Sequence, residues 1–269
     1  MKKTISMLLV VLMLVSLCTN AFAAEMVSSP ELIIEHLNEW DARAQTVEEQ
    51  TVNGAYCLAE MLGCAAAVRA TDEEYAYINS CLEQLYDNDA QTLGNQQSIA
   101  LGAMQIFNLL ELIAEQEDPD MKYQSNRDNL RDYFDEGDKE SGIAKQQTVN
   151  ALYSAALMAG LIMEEISPTE EMIANIETEL EAFSEDNNVC VTVDDQIVNG
   201  AYWLHRMLTG MVTLISPSDD YAETAMEISN ESVQAANEQP DLETELVVWL
   251  YNCVRLADLC AEELLSEAE

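Results

Sequence analysis

The chain has 269 residues, of which 11 are Lys or Arg and 50 are Asp or Glu, so its formal net charge at pH 7 is −39. A protein with this charge repels nucleic acids and anionic lipid headgroups, which bind through clustered cations. Hydrophobic residues make up 49% of the chain, enough for a folded core. With only 9 Gly and 5 Pro, and with no stretch of alternating apolar and polar residues, the sequence predicts an all-α fold.

Residues 1–23 have the pattern of a secretory signal peptide. Two lysines precede a short apolar run, and Ala21-Phe22-Ala23 supplies the small residues of a cleavage site. The run is shorter than the roughly 20 residues that span a bilayer. We therefore expect cleavage near Ala23 and secretion of one domain, residues 24–269, with nine basic residues against 50 acidic ones and a net charge of −41. Because no second spanning stretch is evident, the mature form is expected not to be membrane-embedded.

The rest of the chain contains an internal repeat. The stretches QTVNGAYCLAEML, QSIALGAMQIFNLL, QTVNALYSAALMA and QIVNGAYWLHRML begin at Gln50, Gln97, Gln147 and Gln196, and ELVVWLYNCVRLA at Glu245 is a looser fifth copy. Large apolar residues at positions 2 and 6 of the repeat, counted from these starting residues as 0, are typical of one face of an amphipathic helix. We call the five predicted helices the B helices.

A second pattern precedes each B helix. A capping residue followed by proline and then by acids, as in Ser29-Pro30, Asp118-Pro119, Ser167-Pro168 and Ser216-Pro217, is typical of a helix N-terminus. Thr71 and the three acids after it fill the same place in the second copy. The pattern predicts five acidic A helices of about 15 residues each.

Together the patterns predict about ten helices, arranged as five tandem A–B hairpins with a period of about 49 residues. The units cover residues 28–70, 71–117, 118–166, 167–215 and 216–266. One hairpin cannot bury its apolar faces alone, so we expect an α-solenoid-like array or a compact superhelical bundle. Glycines at position 4, Gly54 and Gly200, favour the B helices as the closely packed inner layer.

The candidate ligand-binding residues are unusual for an apolar inner helix. Asparagine at position 3 is a poor helix former, and it either bonds to a neighbouring segment or faces a ligand. Arginine at position 10 either pairs with acids of the A helices or receives an anionic group of a ligand. The predicted ligand-binding set is Asn53, Asn150, Asn199, Trp203, Arg206 and Arg255.

Cofactor and metal signals are weak. The sequence has no closely spaced Cys or His ligand pairs and only two histidines, so we predict no cofactor and no zinc or iron site. A disulfide between Cys81 and either Cys57 or Cys64 is compatible with an exported protein. Acidic loops leave calcium open as a ligand, although none has the twelve-residue calcium-loop pattern.

These observations favour a secreted, acidic, non-catalytic helical-repeat protein that binds an extracellular protein or a glycan. The first alternative is a carbohydrate-active enzyme, which requires two carboxylates facing each other in an aromatic-lined cleft. The second is a calcium-dependent extracellular structural module. No nucleophile motif or phosphate-binding loop indicates an enzyme of another class.

Overall fold

The computed structural model describes residues 28–87, 92–167, 169–215 and 219–268, and the predicted signal peptide lies outside them. The described residues form ten α-helices and no strand, which confirms the all-α prediction. Numbered in chain order, the helices are α1 (Pro30–Arg43), α2 (Val47–Ala67), α3 (Asp72–Tyr86), α4 (Asn95–Glu117), α5 (Gln124–Glu140), α6 (Ala144–Ile166), α7 (Glu170–Val189), α8 (Val193–Ile215), α9 (Asp219–Asn237) and α10 (Leu242–Ala268).

The even-numbered helices form a closed ring. In this ring α2 packs against α4, α4 against α6, α6 against α8, α8 against α10, and α10 against α2. Each odd-numbered helix covers the junction between two neighbouring ring helices, and α1 covers the junction between α10 and α2. An open solenoid has no contact between its first and last inner helices, so these contacts favour the compact alternative. The ring helices supply most of the buried core.

Two glycines at position 4 lie where ring helices approach each other closely. A β-carbon at Gly200 would lie 3.0 Å from the β-carbon of Leu152 on α6, and one at Gly54 would lie 2.9 Å from the ring of Tyr251 on α10. Because side chains larger than hydrogen would collide there, glycine permits the close packing. Gly54 thus contacts the fifth copy in the way that Gly200 contacts the third.

The predicted helix starts are right in the first two copies and shifted in the fourth. Ser29 caps α1, with Pro30 in its first turn, and Thr71 caps α3 in a reciprocal hydrogen-bonding pattern with Glu74. In the fourth copy Thr169 caps α7 in place of the predicted Ser167. The predicted start at Ser216-Pro217 lies outside the described residues.

The prediction for Asp118-Pro119 is wrong. Helix α5 begins at Gln124, and Asp118 is the C-terminal cap of α4. Its carboxylate accepts hydrogen bonds from the backbone N–H groups of Lys122 and Tyr123, at 2.8 and 2.7 Å. The side chain therefore stabilises a turn, in which Met121 has a positive φ of 57°, and does not cap a helix N-terminus.

Two further expectations are corrected by the fold. Helices α4 and α6 are long and apolar enough to span a membrane, contrary to the sequence prediction, but 67% and 61% of their most apolar windows are buried inside the protein. Burial in the ring accounts for their composition. The expected option of a disulfide at Cys81 is not realised, because Cys57, Cys64 and Cys81 are free, buried thiols.

Candidate functional site

Asn150 has a structural role. It lies buried on α6, and its Nδ2 donates a hydrogen bond of 2.8 Å to the backbone carbonyl of Phe134 on α5. Gly137, one turn further along α5, leaves room for the amide, since a β-carbon there would lie 2.3 Å from the Asn150 Oδ1. The asparagine therefore ties the ring helix α6 to the outer helix α5.

The other two asparagines have different surroundings. Asn53 is half-buried on α2, whose neighbours in the ring are α4 and α10. Asn199 lies on α8 at the same repeat position as Asn150, yet its Nδ2 is buried and has no hydrogen-bond partner. Phe183 follows Phe134 by 49 residues, as Asn199 follows Asn150, so it is the equivalent residue on α7. Equal positions in the sequence thus have unequal roles.

The two arginines pair with acids of outer helices. Arg206 forms an ion pair with Glu179 on α7, and Arg255 lies 3.4 Å from the carboxylate of Glu231 on α9. Arg206 also donates a 3.2 Å hydrogen bond to the Tyr202 hydroxyl. These are the acid pairings that the sequence left open as one alternative, and both arginines remain partly exposed to solvent.

Trp203 is buried between α7 and α8. Its Nε1 donates to Asp186 at 3.2 Å, and its ring packs 5.5 Å from that of Phe183. The Arg206 guanidinium lies over the Trp203 ring, 5.0 Å from its centre. Of the six predicted residues, the structure brings Trp203 and Arg206 into contact and places Asn199 on the same helix. The other three lie on α2, α6 and α10.

A groove of about 410 Å³ lies beside the predicted residue Asn199, where α8, α9 and α10 meet. We call it the α8–α10 groove. Its size falls within the range of small-molecule sites. Apolar side chains of Val198, Val233 and Leu242 form part of its wall. Its polar and aromatic residues are Asp195, Asn199, Tyr202, Asn237, Glu245 and Trp249.

Trp249 forms the α10 side of the groove at this junction. It occupies position 4 of the fifth copy, where Gly54 and Gly200 allow close helix packing. Its ring lies 5.1 Å from the rings of Tyr202 and His205 on α8. At the position where glycine allows close packing in two other copies, Trp249 places a large ring between α10 and α8, at the edge of the groove.

Hydrogen bonds fix the two carboxylates of the groove. Asp195 accepts from the backbone N–H and the hydroxyl of Thr192, at 2.8 and 2.7 Å. The bond to the Thr192 side chain is the main reason why the pKa of Asp195 is lowered, so this group stays ionised. Glu245 accepts a hydrogen bond of 3.2 Å from Nε1 of Trp249. In each carboxylate, these hydrogen bonds are therefore made by one of the two oxygens, Oδ2 of Asp195 and Oε1 of Glu245.

His205 lies under the aromatic wall of the groove. It is fully buried, and neither ring nitrogen has a hydrogen-bond partner. Burial lowers its pKa to about 4, with a smaller contribution from the nearby Arg206 cation. The imidazole is therefore neutral at physiological pH and gives the groove no positive charge.

Sequence reasoning missed most of the groove, including Asp195, Asn237, Glu245 and Trp249. The repeat contained one signal for it, since Trp249 is the only aromatic residue at position 4 in the five copies. A departure from a repeated small residue indicates that packing differs at that junction. The other members come from two different helices, and sequence spacing alone does not bring them together.

A second, smaller cavity lies at the end of the ring where the five ring helices begin. It measures about 60 Å³, and its rim carries residues from repeat position −2, among them Glu48, Lys145, Asp194 and Glu243. The Lys145 ammonium lies 2.7 Å from the Asp194 carboxylate, and this hydrogen bond raises the pKa of Lys145. Lys145 thus compensates Asp194, one of the three acids named at this rim.

Comparison of the chain with protein-family models, with curated proteins and with solved structures finds no match. Within the described parts of the chain, no group of three or more His, Cys, Asp or Glu side chains is arranged to hold a metal ion. The function of the chain is therefore inferred from the geometry of the groove.

Proposed function

We propose that the chain is a secreted, non-catalytic binding protein built from five tandem helix hairpins, and that the α8–α10 groove is its ligand site. Contacts one repeat apart support the tandem arrangement. Lys145 pairs with Asp194, 49 residues later, and the Arg69 guanidinium lies 2.7 Å from Glu117, 48 residues later. Contacts at this spacing are expected when equivalent positions of consecutive hairpins lie side by side.

The single observation that carries the binding proposal is the difference between Asn199 and Asn150. Asn150 uses its amide donor to hold α5, whereas the Asn199 donor is buried without a partner at the wall of a groove. An unpaired buried donor costs about 1–3 kcal/mol of stability. Since the torsion of a terminal amide is soft, a small rotation turns this donor toward a ligand in the groove.

A binding role fits the groove better than catalysis does. Asp195 and Glu245 both line an aromatic-walled groove, which is the arrangement that the carbohydrate-active alternative requires. A glycosidase also needs one carboxyl with a raised pKa as its general acid. The lowered pKa of Asp195 makes that residue unsuitable as the acid, and its bonds to Thr192 hold it in a helix-capping role.

The calcium-dependent module has less support. Asp118, in one of the acidic loops that suggested it, already accepts two backbone hydrogen bonds and a 2.9 Å ion pair from Arg127. A carboxylate engaged in this way has little capacity left for a cation. Thermal unfolding with added calcium and then with a chelator tests this alternative directly.

Ligand-dependent stabilisation tests the binding proposal. Wild-type protein, Asn199→Ala and the matched control Asn150→Ala are heated with each member of a panel of oligosaccharides and short peptides. A ligand of the groove raises the Tm of the wild type and of Asn150→Ala more than that of Asn199→Ala, at equal ligand concentration. A compound that stabilises all three proteins equally would place the binding site elsewhere and contradict the proposal.

A further inference from the structure

We propose that the α8–α10 groove binds an oligosaccharide without acidic groups. This inference rests on the proposed function, because it names the chemical class of ligand for the same groove. It is carried by the combination of amide, carboxylate and aromatic side chains in one cavity, and by the absence of cationic side chains from the groove wall.

The polar side chains of the groove match sugar hydroxyls. A hydroxyl both donates and accepts hydrogen bonds, so it requires neighbours of both kinds. Asn199 supplies an unpaired donor. The Nδ2 of Asn237 is bonded to the Val233 carbonyl at 2.8 Å, which leaves its Oδ1 as an acceptor, and Glu245 offers the oxygen not bonded to Trp249.

Tyr202 supplies a flat apolar surface beside these groups. Its half-buried ring is held edge to face by Trp249 at 5.1 Å and by Trp203 at 5.5 Å. Such packing fixes the ring in one orientation without covering it completely. A pyranose has an apolar face of C–H groups and a rim of hydroxyls, so it can contact the ring and the polar side chains together.

A peptide fits the groove less well. The described residues contain no sheet edge for strand addition, and a groove with this many polar groups differs from the apolar trough that receives an amphipathic helix. Acidic motifs are recognised by clusters of arginine, but Arg206, which contacts Tyr202, is already paired with Glu179.

Charge also excludes acidic sugars. Asp195 and Glu245 lie in the wall, and the exported chain has a net charge of −41. A uronic acid placed there would meet two carboxylates, and Arg206, the cation beside Tyr202, is already paired with Glu179. Uncharged and amino sugars avoid this repulsion.

The test is calorimetric titration of the purified protein with three kinds of probe. Cellotriose, maltotriose, mannotriose and triacetylchitotriose represent neutral sugars, trigalacturonic acid represents acidic sugars, and a polar hexapeptide represents peptides. We expect at least one neutral trisaccharide to bind and trigalacturonic acid to bind at least about tenfold more weakly, a difference of about 1.4 kcal/mol.

Matched variants at equal repeat positions locate the binding. Asn199→Ala should weaken the binding of the neutral sugar about tenfold, and Tyr202→Ala should abolish it. Asn150→Ala and Tyr153→Ala, which change the same positions in the preceding copy, should leave the affinity within about twofold. Circular dichroism of each variant shows that it is folded before titration.

Each contrary result has a distinct meaning. Equal binding of trigalacturonic acid, or sugar binding unaffected by both groove substitutions, overturns the inference. A third outcome is that no trisaccharide binds, whereas the hexapeptide binds and Tyr202→Ala removes its binding. In that case the oligosaccharide inference fails and the proposed function stands. If no probe of either class binds, both the inference and the proposed function fail.

Discussion

Among single residues, three charged side chains form a buried cluster that joins α4, α5 and α6. Nη1 of Arg127 on α5 lies 2.9 Å from Asp118 at the end of α4 and 2.9 Å from Glu165 on α6. All three side chains are almost completely buried. One cation is shared by two carboxylates, and Oε2 of Glu165 has no partner. The cluster is therefore sensitive to the removal of its only positive charge.

Replacing that cation should be strongly destabilising. We expect Arg127→Met to lower the free energy of unfolding by roughly 3–5 kcal/mol at pH 8, where Glu165 is ionised and two buried carboxylates lose their counter-charge. Urea denaturation measures this change. Arg43→Met is the control, since Arg43 pairs with Glu39 on an exposed surface and its loss should cost less than about 0.5 kcal/mol. Similar losses in the two variants would show that the cluster is not a stabilising element.

At the level of helices, the closure of the ring depends on the contact between α2 and α10. Tyr251 of α10 packs against Gly54, and its hydroxyl donates a 2.9 Å hydrogen bond to Asp41 on α1. Nε2 of Gln50 on α2 donates to the same oxygen of Asp41 at 2.6 Å. Helices α1 and α2 are thus joined to the last ring helix, α10, by a close apolar contact and by a hydrogen-bond acceptor, Asp41, that α2 and α10 share.

A larger side chain at this contact should open the ring. We expect Gly54→Val to lower the free energy of unfolding by about 1–3 kcal/mol, because its side chain would overlap the Tyr251 ring and Leu250. The control is Gly142→Val, at a loop position where a β-carbon meets no atom within 4 Å. Denaturation of both variants should separate them clearly, and equal stability would contradict the importance of this contact.

The sequence predicts the helices better than it predicts their junctions. The repeat and the caps at Ser29 and Thr71 follow from local hydrogen bonding and hydrophobic periodicity, which short stretches of sequence contain. The same motif at Asp118 has a different outcome, since Arg127 and a turn compete for its carboxylate. Closure of the ring depends on small rotations accumulated over the successive ring helices, and no local pattern specifies them.

The candidate site shows the same limit. Asparagine is unusual at a mid-helix position, and this predicts Asn199 as a site residue, but the same reasoning applies equally to Asn150, whose partner is a backbone carbonyl. Only the arrangement of α8, α9 and α10 separates the two roles. Trp249 forms part of the groove wall, and its difference from the glycine of two other copies can be recognised in the sequence, even though the groove cannot.

For the whole molecule, burial and capping act on the carboxyl groups in opposite directions. Burial is the main cause that raises the pKa of Glu165 to about 7 and that of Asp258 to about 6. Hydrogen bonds at helix starts lower the pKa values of Glu74, Asp195 and Asp241. The two groups give stability opposite dependences on pH.

The sign of each dependence predicts a maximum of stability in mild acid. A buried carboxyl with a raised pKa stabilises the fold while it is protonated, and this contribution is lost as the pH rises from about 4.5 through the folded-state value near 7. The capping carboxylates stabilise the fold above their unfolded-state pKa and lose this effect as the pH falls below about 4. Repulsion among the many exposed acids adds to the loss at high pH.

We therefore expect the Tm to be highest near about pH 5 and to fall toward pH 8. Glu165→Gln imitates the protonated carboxyl and cannot ionise. Between pH 5 and pH 8 this variant should therefore lose less free energy of unfolding than the wild type, by an amount on the order of 2–3 kcal/mol. Glu185→Gln, an exposed position on α7, should leave the slope unchanged. Thermal unfolding of the three proteins from pH 4 to pH 8 measures these slopes. A Glu165→Gln protein that loses stability with pH as steeply as the wild type would show that this buried carboxyl is not the source of the dependence.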